Sequence, residues 1–280
     1  MNAYFDSARL LYNLSKMEFK KNFFTMRMAV LLPILSLFIV GSSWGFSDKD
    51  ANLPADVSVN TPFEVLFLSS LFILFSATLG IVLVGFDGIS RKRNSGLLAI
   101  EFCQPTSRTM LGASQLLGVW LTVAIPTIIL SFISIILVYK QMDSWPSVSE
   151  ILLYFLATSL VLFWYASIQL LVSSFAKDMG SAVTLGVGTW LLFTMIWLLI
   201  TVVLATILGV DATNTTDVTF ASFSSKMDLF SPNGLYQLLL EAKLENNSRI
   251  LPTWQLSIAT ICWTFLPSSF FIWKFNKLDA

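Results

Sequence analysis

The residues that decide the fold run from 179 to 210 and read MGSAVTLGVGTWLLFTMIWLLITVVLATILGV. These 32 residues contain no Asp, Glu, Lys or Arg. An α-helix rises about 1.5 Å per residue, so about 20 apolar residues cross the hydrocarbon core of a bilayer. A soluble helix of this length would carry charges on its outer face. The stretch therefore predicts a membrane-spanning helix.

Five further charge-free runs repeat this pattern along the chain. They lie between Arg27 and Asp48, Glu64 and Asp87, Arg108 and Lys140, Glu150 and Lys177, and Arg249 and Lys274. Only 12% of the residues are charged, against about 25% in a soluble domain. The runs predict an all-α integral membrane protein, a single domain over residues 1–280 with six transmembrane helices. The expected spans are 28–47, 65–86, 113–139, 151–174, 180–208 and 254–273.

The Lys and Arg residues that flank these runs fall unevenly on the two sides of the membrane. Twelve of the seventeen lie on the side of the two termini, and five lie on the other side. Basic residues accumulate in cytoplasmic loops. The count predicts a multi-pass protein of the cell (plasma) membrane whose N- and C-termini are both cytoplasmic.

Several kinds of chemistry lack the residues that they need. The chain has no histidine, which excludes Ser-His-Asp and Cys-His catalysis and His-ligated metals. Cys103 and Cys262 are far apart and form no CxxC pattern, so we expect no metal site. With a net charge of zero there is no sign of a nucleic-acid partner.

The sequence also shows no energy source for active transport within this chain. No phosphate-binding loop of the form G-x-x-x-x-G-K-[ST] occurs, so we expect the chain to bind no nucleotide or other cofactor itself. No charged residue lies within a span, which disfavours an ion-coupled transporter. These features leave a transport domain that another chain powers, or a passive pore or scaffold.

Two segments outside the spans have the pattern of amphipathic helices. Residues 1–25 form a polar stripe of Asp6, Arg9, Asn13, Lys16 and Lys20, which predicts a helix lying along the membrane, with a generic anchor for the first span as the alternative. Residues 231–243 begin with a helix cap and repeat leucines at helical spacing, which predicts a helix on the outer surface before the last span. Asn214 and Asn246 fit the glycosylation acceptor pattern, which is short enough to arise by chance.

The connection between the second and third spans is the most informative segment. It reads FDGISRKRNSGLLAIEFCQPTSR over residues 86–108. A charged stretch leads to a glycine, a short apolar helix follows, and Pro105 ends it. Such a helix over about 91–104 is suited to contacting another protein; the alternative is that it only orients the chain.

This segment resembles the permease subunits of type-2 ABC exporters. The matching features are Asp87, the basic cluster Arg91 to Arg93, Gly96, the apolar run Leu97 to Glu101, and Pro105, Ser107 and Arg108. The stretches 170–175 and 231–239 are similar to the same family. Within it the chain looks most like the group linked to multi-copper enzyme maturation, which includes the permease of the nitrous-oxide-reductase maturation system.

The resemblance implies a mechanism and a set of partners. Two permease copies, as a homo- or heterodimer, would work by alternating access with two ABC ATPase subunits that hold ATP and Mg²⁺. The segment 91–104 would be the coupling helix that docks on the ATPase. Its expected coupling residues are Arg91, Arg93, Gly96, Leu97, Ile100, Glu101, Gln104, Pro105 and Arg108.

The resemblance also places a transport pathway. Its candidate residues are Ser76, Thr78, Thr189 and Thr194. Gln169 is a further candidate, which we expect to face protein or a cavity. The outer gate would include Ser231, Pro232, Leu235 and Leu238. The chain itself shows no ladder of soft ligands for copper. Two functions stay open: an exporter of cargo, or a mechanotransmitter or scaffold that acts on an extracytoplasmic partner without moving cargo.

Overall fold

The computed structural model describes residues 2–48, 59–211, 218–244 and 251–278, and within these ranges all regular structure is helical. The elements are α1 Asn2–Phe23, α2 Met26–Ser47, α3 Pro62–Gly85, α4 Ser90–Asn94, α5 Leu97–Phe102, α6 Arg108–Met142, α7 Val148–Phe175, α8 Met179–Leu191, a π-helical turn Leu192–Ile196, α9 Trp197–Ile207, α10 Val218–Asp228, α11 Pro232–Glu241 and α12 Thr253–Asn276. Asn214 and Asn246, the possible glycosylation acceptors, lie outside the described residues.

Within the described residues, six helices are long and apolar enough to cross a membrane, which confirms the predicted all-α membrane fold. Five of them are α2, α3, α6, α7 and α12. The sixth is one continuous helix that consists of α8, the π-helical turn and α9. The helix that begins at Met179 therefore contains a π-helical turn in the middle of the stretch that predicted it. Such turns are rare and occur often at functional sites.

Side-chain caps mark the N-terminal ends of several spans, just before each apolar run begins. Thr61 and Glu64 form a reciprocal capping box at α3, and Ser147 and Glu150 form one at α7. Each box satisfies backbone N–H groups that have no partner within the helix. At α8 the backbone N–H of Ser181 donates to the Asp178 carboxylate at 2.8 Å, which lowers the pKa of Asp178.

Helices α3 and α7 form the centre of the bundle. Helix α3 packs against α2, α6, α7 and α8, and α7 also contacts α11 and α12. Lipid provides little hydrophobic drive between helices, so close approach and hydrogen bonds hold them together. Examples are the bond between the Ser43 and Ser69 hydroxyls at 3.1 Å and the bond from Trp164 Nε1 to Thr264 Oγ1 at 3.0 Å.

Helix α1 lies along α6 rather than on the membrane alone. A Cβ at Gly118 of α6 would lie 2.5 Å from the Cβ of Glu18, so only glycine permits this approach. The face of α1 toward the bundle includes Leu14, buried Ser15 and Glu18, whereas Lys16 and Lys20 of the predicted polar stripe are exposed.

Two segments differ from their predicted form. The expected helix over 91–104 is divided into α4 and α5, because Gly96 between them adopts a left-handed conformation with φ of 72°. The helix expected on the outer surface over 231–243 is instead α11, which is buried on most sides because α7, α10 and α12 surround it. A further helix, α10, precedes it and was not predicted.

Candidate functional site

The candidate site is the segment of residues 86–108 that joins α3 to α6. Its shape depends on Gly96, where the left-handed backbone turns α5 away from α4. A Cβ at Gly96 would meet no atom within 4 Å, so the requirement for glycine is one of backbone conformation and not of space. Ser107 then caps α6 by accepting the backbone N–H of Met110.

An ion pair fastens the start of this segment to α2. The guanidinium of Arg27 donates to both oxygens of the buried Asp87 carboxylate, at 2.9 and 2.8 Å. Arg91, one turn later, adds a longer contact of 3.5 Å to the same carboxylate. Two parallel bonds fix direction as well as distance, so α2 and the end of α3 are held in one register.

A second charged cluster joins three helices around Lys92. This lysine is 6% exposed, and its Nζ lies 2.9 Å from a carboxylate oxygen of Glu18 on α1 and 2.9 Å from one of Glu101 on α5. Isolated charges are costly to bury, but one ammonium between two carboxylates is paired on both sides. The cluster therefore ties α1, α4 and α5 into one unit.

Hydrogen bonds attach the same segment to the end of α7. The Ser173 hydroxyl accepts the backbone N–H groups of Ile89 and Ser90, at 3.2 and 3.3 Å. Arg93 donates to the carbonyls of Ser174 and Ala176, at 2.9 and 3.2 Å. These carbonyls end a helix and have no partner within it, so a cation there is favourable.

The C-terminal end of the segment is attached to α12. Arg108 donates to the carbonyls of Asn276 and Leu278, at 3.1 and 3.2 Å. Its guanidinium also lies over the Phe102 ring, 4.3 Å from the ring centre, and Phe102 meets Phe275 edge to face. Movement of α5 is therefore tied to the last span.

One face of α5 is left uncovered. Ile100 is 65% exposed, and Leu97, Cys103 and Gln104 are exposed beside it, whereas Leu98 on the opposite side is fully buried. The structure thus separates the predicted coupling residues into two sets. Leu97, Ile100, Gln104 and Pro105 are exposed, and Arg91 of α4 is exposed but keeps its contact with Asp87. Arg93, Glu101 and Arg108 instead bond within the chain.

The predicted pathway residues do not all come together. Thr78 accepts a hydrogen bond from Trp190 Nε1 at 2.8 Å, and Gln169 Nε2 donates to the Gly186 carbonyl at 3.1 Å, so both hold α8 against its neighbours. Gln169 is fully buried. The hydroxyls of Ser76 and Thr189 bond to carbonyls of their own helices.

Thr194 is the pathway candidate that borders a cavity. The cavity has a volume of about 420 Å³ and lies between α3, the π-helical turn, α10 and α11. Asn233 at the start of α11 donates to the Phe193 carbonyl and to Thr194 Oγ1, both at 3.3 Å, and accepts from the Tyr165 hydroxyl at 2.7 Å. One amide therefore connects α7, the π-helical turn and α11 at the cavity wall.

The four predicted gate residues are all buried at α11. Ser231 caps the helix by accepting the backbone N–H of Gly234, and Pro232 occupies its first turn. Leu235 and Leu238 are buried as well. Of these four, Ser231 is the one that lines the cavity.

Sequence reasoning missed Glu18, Arg27, Lys92 and Asn233 as members of the site. A signal for one pair was present, because Arg27 is the last charge before the first apolar run and Asp87 is the first charge after the second. Two antiparallel spans bring such residues to the same membrane face. Asn233 follows a helix cap and carried no comparable signal.

Comparison with known families identifies the class of protein. A family model described as ABC-2 family transporter protein matches residues 7–280. The chain therefore belongs to the ABC-2 transporter family, and it is a multi-pass membrane permease subunit of an ABC transporter. Membership implies partnership with an ABC ATPase subunit. A search of curated proteins finds no sequence that matches.

Proposed function

We propose that this chain is the permease of an ATP-driven exporter, and that the exposed face of α5 is the surface on which the ATPase docks. The observation that carries the proposal is the contrast within this short helix. Ile100 and Leu97 are exposed, although the segment around them is bonded to four other helices. An exposed apolar surface on a segment that is held in place by many contacts is typical of a protein interface.

The contacts of the segment supply a route for force. Closure of the ATPase would move α5, and its bonds would pass that movement to α1 through Glu18 and to α12 through Arg108. Arg93 would pass it to the end of α7. A packed bundle responds to such displacement by switching between arrangements rather than by bending continuously. Alternating access follows from that switch.

Two copies of the chain would form the transport unit. Helix α9 makes its most extensive contacts within the described residues with the adjoining turn and α10, and it exposes Leu198, Leu199 and Val203. In the family the second and fifth spans face the dimer axis. The cavity beside Thr194 would then open toward that axis, with α11 as the outer gate.

The remaining parts of the proposal concern partners and cargo. ATP and Mg²⁺ would bind on the ATPase chain, and docking of a cytoplasmic ATPase on α5 would require α5 and both termini to lie in the cytoplasm. The similarity to the multi-copper enzyme maturation group stays a prediction. Stimulation of the ATPase by copper(I), compared with other cargo classes, tests it.

The docking surface is tested by Ile100→Asp in the full-length permease, co-expressed with its ATPase. A charge on this face would be desolvated by docking, so we expect the ATPase to be lost on purification while membrane insertion is unchanged. Val148→Asp is the matched control, because Val148 is also exposed at the start of a helix, at the opposite end of the bundle. Normal copurification of Ile100→Asp, or equal loss in both variants, would refute the proposal.

A reversed charge at Glu101 is a less selective probe. Its carboxylate pairs with Lys92 inside the chain, so Glu101→Lys would place two cations together. Reduced ATPase coupling in that variant would combine a docking effect with a local disturbance of α1 and α5. Ile100→Asp tests docking without this local disturbance, because the Ile100 side chain is largely exposed.

A further inference from the structure

A charged pocket lies where α1 turns into α2, on the side of the bundle that carries most of the basic residues. It has a volume of about 310 Å³ and is bordered by residues of α1, α2, α3, α4 and α6 and the connections between them. Its charged lining residues are Lys21, Arg27, Arg91, Lys92, Glu18 and Asp87. Four cations and two carboxylates line the pocket, and Glu101 pairs with Lys92 from outside the lining, so the cluster has an excess of one positive charge.

The carboxylates do not fully neutralise the cations of the pocket. Asp87 is occupied by Arg27, and Glu18 by Lys92. Lys21 reaches Glu18 only at 4.0 Å, and Arg91 reaches Asp87 only at 3.5 Å. Their side chains are 53% and 61% exposed. Both therefore have N–H donors available for an anion in the pocket.

One edge of the pocket, at the start of α2, is apolar. Met26, which lines it, is 83% exposed, and Phe24 and Val30 beside it are also exposed. These side chains continue along α2 in the direction of the hydrocarbon core. A soluble anion needs no such surface, whereas the acyl chains of a lipid would cover it.

We propose that this pocket binds the phosphate headgroup of an anionic phospholipid, with its acyl chains along the exposed side of α2. Basic pockets between transmembrane helices on the cytoplasmic side are suited to acidic headgroups. The pocket is about the size of a headgroup and too small for a whole lipid. Bound lipid would bridge α1 and α4 and so brace the segment that carries α5. This site does not depend on the proposed export function.

The test uses the purified full-length protein in detergent, without an ATPase. Phosphatidylglycerol, phosphatidylcholine or inorganic phosphate is added, and native mass spectrometry counts the lipids retained per chain. The midpoint of thermal unfolding is followed in parallel, because a ligand of the folded state raises it. We expect phosphatidylglycerol to be retained and to stabilise the chain at concentrations where phosphatidylcholine does not.

The variant Lys21→Gln/Arg91→Gln locates the site. Because both side chains are exposed and weakly paired, we expect its lipid-free unfolding midpoint to match that of the parent. We expect its affinity for phosphatidylglycerol to fall about fivefold or more. The matched control Lys140→Gln/Lys243→Gln removes the same charge from exposed positions outside the pocket, and should bind as the parent does.

Three outcomes would overturn the proposal. The first is unchanged phosphatidylglycerol binding in Lys21→Gln/Arg91→Gln, and the second is equal binding of phosphatidylcholine. The third is full stabilisation by inorganic phosphate alone, which would assign the pocket to a soluble phosphate compound. Loss of binding in the pocket variant, with binding retained in the control, supports the lipid site.

Discussion

Replacement of Lys92 by methionine tests the charged cluster that joins α1, α4 and α5. Methionine has a similar length and no charge, so the change removes the ammonium with little loss of volume. Glu18 and Glu101 are then left as neighbouring carboxylates without their cation. Their side chains are 18% exposed, so water reaches them only in part. We expect Lys92→Met to destabilise the permease.

The expected magnitude follows from burial. Removing one partner of a buried ion pair costs about 3–5 kcal/mol, because the other charge stays behind unpaired. Partial exposure of the two carboxylates lowers this figure, and we expect a loss of about 2–3 kcal/mol in the free energy of unfolding. Exposed pairs contribute about 0–1 kcal/mol. Lys21→Met, which removes an exposed partner of the same Glu18, is therefore the matched control.

The assay is denaturant unfolding of the purified protein in mixed micelles, followed by tryptophan fluorescence. The triple variant Glu18→Gln/Lys92→Met/Glu101→Gln removes the stranded charges and should recover most of the lost stability. A stability of Lys92→Met within about 0.5 kcal/mol of the parent would show that the cluster contributes little. A triple variant no more stable than Lys92→Met would show that the loss has another cause.

Three further changes test other parts of the structure. Gly96→Ala should cost about 1–2 kcal/mol through its left-handed backbone alone and weaken ATPase copurification, with Gly96→Asn less affected. Asn233→Ala removes three hydrogen bonds between α7, the π-helical turn and α11 and should lower stability by about 1–3 kcal/mol in the same unfolding assay. Val203→Cys, in a background with Cys103 and Cys262 replaced by serine, should form a disulfide-linked dimer on mild oxidation in membranes; only monomer on a non-reducing gel would contradict the dimer arrangement.

The spans were predictable because the absence of charge is a local property of sequence. Each run was long enough to cross a bilayer whatever its neighbours, and the helices appear there. The break in the helix at Gly96 was predictable only in part. The sequence places a glycine after a charged stretch but does not show its positive φ, so the pattern alone predicts one helix over 91–104.

Contacts between distant segments were not predictable from local pattern. The leucines of α11 indicated one apolar face, yet Tyr236 and Leu240 are buried as well, since helices cover α11 on several sides. The packed face of α1 depends on Gly118, about a hundred residues later in the chain. The π-helical turn over Leu192–Ile196 has no comparable signature in the sequence.

The pairing of Arg27 with Asp87 has a consequence for the order of biogenesis. Arg27 leaves the ribosome 60 residues before its counter-ion, and Glu18 precedes Lys92 by a still longer interval. A nascent chain that has inserted only α2 therefore holds these groups without partners at the membrane edge. Docking of α1 also awaits Gly118 of α6. The N-terminal part of the protein can thus settle only after the third span has begun to emerge, so its assembly follows the insertion of the first two spans.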